Sequence, residues 1–111
     1  MTDELDGVVA APDHHKVLFE NDAVRVLEVT IRAGDVTPLH EHLRPTLNYV
    51  LSGSHLIRRD EHGSVLIDTR TDPDYVMPRV MYGATSPLHT IENPGPSDLD
   101  IIAVELKQPP A

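Results

Sequence analysis

Along this chain apolar residues alternate with polar ones at a spacing of two more often than at the spacing of a helix. Short β-branched segments, each bounded by turn-forming residues, predict strands at 16–20, 24–31, 46–51, 55–59, 65–69, 80–82, 90–93 and 101–106. Ten prolines and six glycines interrupt the sequence so often that no segment carries a long apolar stripe of helical period. Turn chemistry is explicit at Asn21-Asp22, Ala33-Gly34-Asp35, Asp60-Glu61-His62-Gly63 and Asn93-Pro94-Gly95-Pro96-Ser97, which predicts antiparallel pairing. Leu27, Val29 and Ile31 share one parity and Val24 and Val26 the other, so the second strand either contains a bulge or is buried on both faces. The stretch 70–79, with Pro73 and Pro78, reads as a rim loop. Residues 1–13 read as a loose N-terminal arm, 14–106 as an all-β sandwich or barrel, and 107–111 as a frayed tail.

Composition narrows the function. The chain has 111 residues and a formal charge of −9, which implies one acidic domain, too small to join a nucleotide-binding unit to a substrate unit. Its basic residues are scattered, so no nucleic-acid partner is expected. The longest apolar runs, Val8 to Ala11 and Ile101 to Val104, hold four residues each, against the roughly 20 that a spanning helix needs. Met1 to Asp6 is acidic where a secretory signal would be basic and then apolar, so the expected location is cytoplasmic, with no membrane association. There is no cysteine, and any metal must be held by histidine, carboxylate or water.

Seven histidines offer such ligands. His40 and His42 flank Glu41, so over an extended 39–43 both imidazoles project from one face and Glu41 from the other. One strand would thereby offer two ligands to one ion; two solvent-facing loop histidines are the alternative. His89, far along the chain, is placed to close a three-histidine set from a facing strand. Three neutral imidazoles suit Fe(II), Zn(II), Ni(II), Cu(II) or Mn(II) and leave coordination positions open. His55 and His62 on a hairpin, and His14-His15 near the first strand, are expected at the surface.

The frame around these residues is more specific. Gly34, His40, His42 and Gly53 stand in the register of G-x5-H-x-H-x3-E-x6-G, with Thr46 at the glutamate position. His89 and Asn93 match the close of P-x-G-x2-H-x3-N, with Ala84 and Ser86 at the proline and glycine positions. The chain thus resembles the cupin superfamily, which implies a double-stranded β-helix, the jelly-roll barrel, and a metal site at His40, His42 and His89. Thr46 would leave that site without its usual carboxylate.

Such a three-histidine site is similar to those of thiol dioxygenases and diketone-cleaving dioxygenases, which implies one divalent transition metal, Fe(II) first among the candidates. Loss of an anionic ligand raises the charge of the centre by one, so an anionic substrate would complete it more readily. Thiol dioxygenases hold the substrate carboxylate with an arginine; Arg44, Arg58 and Arg79 are the candidates here, each read first as a solvated surface charge. In the barrel, Thr46, Asn48 and Val50 would face the cavity, while Leu47, Tyr49 and Leu51 pack against another layer. Thr46, Asn48 and Tyr82 are the substrate-pocket candidates, with core packing the simpler reading of Tyr82 and Tyr49. Met77 and Met81 read as gap fillers. The resemblance implies a metal-dependent dioxygenase acting on a small diketone, thiol or carboxylate-like molecule, working as a homodimer. A non-catalytic binding module and a non-oxidative isomerase or lyase are the alternatives.

Overall fold

The computed structural model describes residues 4–107, and the expectations for Met1 to Asp3 and for the tail at 108–111 lie outside them. A short helix, α1 (Gly7–Ala10), precedes nine strands: β1 (His15–Glu20), β2 (Val24–Ile31), β3 (His40–His42), β4 (Thr46–Ser52), β5 (Ile57–Asp60), β6 (Val65–Asp68), β7 (Val80–Gly83), β8 (Ser86–Glu92) and β9 (Leu99–Leu106). They form two antiparallel sheets, ordered β1-β2-β9-β4-β7 and β3-β8-β5-β6. No helix among the described residues is long and apolar enough to cross a membrane.

Alternation along β2 and β9 decides what lies between the sheets. Leu27 and Ile31 on β2, and Leu99, Ile101 and Ala103 on β9, are buried, and Ile91 from β8 meets them from the second sheet. Each fully buried Leu or Ile contributes roughly 1.5–3 kcal/mol. β2 pairs with β9 through eight consecutive positions, so it needs no bulge; the irregularity lies in β1, between Val17 and Phe19. Val24 and Val26 occupy the opposite, partly covered face.

Two features differ from the sequence reading. The N-terminal segment is packed: Ala11 is fully buried, Glu41 N–H donates to the Leu5 carbonyl at 2.7 Å, and Asp6 forms a parallel bridge with Glu41. It thereby covers the free edge of β3. β8 begins at Ser86, four residues before the expected strand, because Pro87 is accommodated near the strand's start.

Asn93 closes the return from β8 to β9. Fully buried, it donates from Nδ2 to the carbonyls of Ile31 (2.8 Å) and Ser97 (2.9 Å) and accepts at Oδ1 from Gly95 N–H (2.8 Å). An amide is the side chain that donates twice and accepts at once, which accounts for asparagine four residues after His89.

Candidate metal centre

A cavity of about 140 Å³ opens between the sheets, walled by Val29, Ile31, Ile91, Ile101 and Met81 and carrying histidines at one end. β3 presents His40 and His42 to it from a single strand, as the alternate spacing requires. His89 arrives from β8 as the pairing partner of His40, with ring centroids 4.4 Å apart; His42 and His89 stand at 5.7 Å.

A fourth imidazole joins His40 and His42, in a group that among the described residues does not take in His89. His15, expected at the surface, is 5% exposed; its ring lies 5.0 Å from that of His40 and 5.2 Å from that of His42. His15, His40 and His42 can each bring one ring nitrogen within 4.8 Å of the other two. Sequence parity could not separate His14 from His15; His15 opens β1 four residues after the buried Ala11, whose carbonyl holds its ring. His14 instead pairs with Asp35 at 2.8 Å.

The rings are held by their Nδ1 atoms. His40 Nδ1 lies 2.8 Å from the Pro38 carbonyl, His89 Nδ1 2.6 Å from that of Pro87, and His15 Nδ1 2.9 Å from that of Ala11. A carbonyl only accepts, so each Nδ1 carries the proton and each Nε2 keeps its lone pair. His42 Nδ1 faces the Glu105 carboxylate at 3.6 Å. Orientation of a ligating ring through its far nitrogen is the usual supporting arrangement at protein metal sites. A signal of it stands in the sequence as the tripeptide Pro-Leu-His, which occurs at 38–40 and again at 87–89. In both copies the proline carbonyl receives the ring two residues later.

Burial favours the neutral form of His15, His40 and His89. Burial lowers His15 to about 4, His40 to about 3 and His89 to about 4, against an ordinary 6.5. Above these values a metal meets lone pairs rather than protons. Glu105, 1% exposed, stays ionised although burial opposes it, because His42 and Arg25 face its carboxylate and hold it at about 2. Arg25 also donates to both oxygens of Asp6, at 3.0 and 3.1 Å, so the charge network runs from the histidine cluster to the residue preceding α1.

The remaining candidates divide. Thr46 and Asn48 line the cavity, and the Thr46 hydroxyl donates to the Arg44 carbonyl at 2.9 Å. Tyr82 does not line it: strand alternation gives that place to Met81 and leaves Tyr82 63% exposed on the outer face. Leu47, Tyr49 and Leu51, expected to pack under another layer, are exposed on that face too. Met77 packs against the core as a gap filler would. Arg44 and Arg58, read first as surface charges, both reach the cavity, whereas Arg79 does not line it.

The paired sheets, with the histidine cluster at one end of the space between them, define a double-stranded β-helix with a candidate metal centre. The chain has the cupin fold. It superposes on a cupin domain from Bordetella pertussis with a TM-score of 0.63 at 20% identity, over 85% of this chain and 92% of the other. An RmlC-like cupin family protein from Methanocaldococcus jannaschii gives 0.61 at 13% identity, over 84% and 78%. A predicted oxalate decarboxylase from Thermotoga maritima gives 0.53 at 22% identity, over 85% and 79%. No family model and no curated protein sequence matches the chain.

Proposed function

We propose that this protein is a mononuclear metal-dependent oxidoreductase of the dioxygenase kind, with His40, His42 and His89 as metal ligands and a small organic anion as substrate. The observation that carries the reading is the convergence of three imidazoles on one cavity, with the Nδ1 atoms of His40 and His89 held by main-chain carbonyls and that of His42 facing the Glu105 carboxylate. The donor set fits a divalent transition metal, with Fe(II) favoured and Zn, Ni, Mn or Cu as other occupants. A ferrous ion supplies electron exchange with dioxygen and an acceptor site for substrate oxygen or sulfur.

The chain's own residues do the rest. Val29, Ile31, Ile91 and Ile101 exclude water from the reacting space. Thr46 and Asn48 provide hydrogen-bonding groups that orient a bound molecule. Charge selects its class: among the described residues no carboxylate lines the cavity, while Arg44 and Arg58 do. Arg44 Nη1 is buried without a hydrogen bond, 3.9 Å from Glu105, and Arg58 has no ion-pair partner among the described residues. Arg44 and Arg58 thus give the cavity lining a positive character in a protein of net charge −9. This favours a carboxylate, enolate or thiolate.

The test is metal content by elemental mass spectrometry after anaerobic Fe(II) loading, wild type beside His42→Ala and His89→Ala, followed by dioxygen uptake with diketones, thiols and small carboxylates. About one equivalent in wild type and none in the variants supports the centre, and substrate-dependent oxygen consumption supports the activity. Metal without turnover would move the reading to a binding module or a non-oxidative isomerase or lyase.

A further inference from the structure

We propose that His15 is a fourth metal ligand, giving an all-imidazole centre in which a strand outside both histidine segments takes over the coordination position that Thr46 cannot fill. The inference rests on the metal-centre reading above and extends it to β1.

Four observations converge on His15. It is 5% exposed, and its ring contacts those of both His40 and His42. Its Nδ1–H is held by the Ala11 carbonyl at 2.9 Å, the same kind of anchor that fixes His40 and His89, so its Nε2 is the free donor. It shares with His40 and His42 the close approach of one nitrogen each. Finally, the chain keeps the space beside it clear. Gly7 of α1 is buried where a Cβ would stand 2.9 Å from His15 Nε2 and 2.7 Å from His42 Cε1. A packed core residue would have no need of a bare backbone against its one unprotonated nitrogen.

Thr46 explains why a substitute is needed. Its hydroxyl proton is committed to the Arg44 carbonyl, and a neutral hydroxyl is a weak donor to a divalent ion. A fourth imidazole restores the ligand count without restoring the negative charge. The centre then keeps the full charge of its metal, and any anion required for neutrality must come from the bound molecule.

The experiment is a residue-resolved one, a long-range 1H–15N correlation spectrum of histidine-labelled full-length protein titrated with one equivalent of Zn(II). Coordination moves the bound Nε2 of each ligating ring, and His15→Ala identifies the His15 signals. The proposal expects four ring Nε2 resonances to move together, and His15→Ala to weaken zinc binding by more than the roughly 10–100-fold typical of losing an outer partner. If one equivalent binds while the His15 Nε2 stays in place, the fourth ligand is overturned and the three-histidine centre stands. If wild type takes up no zinc, both fall. The wild-type titration decides the matter even where His15→Ala fails to fold, and His15→Gln, which keeps a hydrogen-bonding group on β1, provides a second variant whose weakened zinc binding is expected.

Discussion

Glu105 stands directly across from Thr46 in the pairing of β9 with β4, and its carboxylate lies 3.6 Å from His42 Nδ1. The position where the cupin pattern carries an anionic ligand is neutral, and the buried anion beside the histidines comes from the neighbouring strand. Glu105→Gln keeps the shape and removes the charge. It should weaken metal binding by roughly 10–100-fold while dioxygen or substrate contacts stay in place. Chelator-competition titration checks this, and an unchanged affinity would show that the carboxylate serves only Arg25.

The buried histidines make the metal-free protein sensitive to acid. His15, His40 and His89 sit at about 4, 3 and 4 when folded, and near 6.5 when unfolded. Below 6.5 the unfolded chain binds protons that the folded chain refuses, so stability present at neutral pH declines as pH falls from 6.5 toward 3. Glu105, depressed to about 2, adds a loss of the same sign below 4.5. Chelator-treated protein should melt at progressively lower temperature through pH 8, 6, 5 and 4; a flat profile over that range would contradict the burial of neutral rings.

Gly7→Ala separates site from scaffold. Alanine favours a helix over glycine by about 1 kcal/mol, which offsets part of any crowding in α1. The added Cβ, however, must displace His42 or His15, both held through their other nitrogens. The variant should keep a melting temperature close to wild type and lose most of its metal affinity. Full metal loading would mean that the rings have room to retreat.

Arg58 tests the charge of the cavity. Arg58→Met keeps the aliphatic stem and deletes the guanidinium. In zinc-loaded protein it should weaken calorimetric binding of small monocarboxylates such as propionate and pyruvate by roughly ten- to a hundredfold, the range of one charge-assisted pair. Metal content should be unaltered. Equal binding by the variant would remove Arg58 from the recognition of substrate.

The outer face of the larger sheet predicts an assembly. Tyr82, Leu47, Val104, Val26 and Phe19 are successive pairing partners across β7, β4, β9, β2 and β1, and so form one row on one face. Tyr82, Leu47 and Phe19 are exposed, as are Tyr49 and Val80 in the next row. A contiguous apolar strip of this kind is what two copies of the chain would bury against each other. Light scattering at micromolar concentration should report a homodimer, and Leu47→Glu with Tyr82→Asp should convert it to a monomer that still loads metal. A monomeric wild type would overturn the assembly.

Much of this is legible in the amino-acid sequence. Turn residues bracketed β2 at Val24–Ile31, and the alternate spacing placed His40 and His42 on one face. What escaped were matters of side and register. His14 and His15 differ by one residue, and only the burial of Ala11 and the packing of α1 decide which of them points inward. Tyr82 and Met81 pose the same problem, since both are apolar enough for either face. Arg58 was misread for a different reason: composition makes an arginine a surface residue, and nothing local reveals that the facing strand brings no carboxylate to meet it. Pro87 lies ahead of the strand expected at 90–93, yet it sits inside β8, and its carbonyl aims His89.

Three of the four rings are aimed by main-chain oxygens, which no substitution at Pro38, Pro87 or Ala11 deletes. His42 faces a carboxylate instead, that of Glu105. Variation that retunes the centre without dismantling it therefore has one inexpensive route, through position 105 and the Arg25–Asp6 pair behind it. Sequences sharing this frame should diverge in metal preference there sooner than at the histidines, and a selection experiment for a new metal should return its earliest gains on β9.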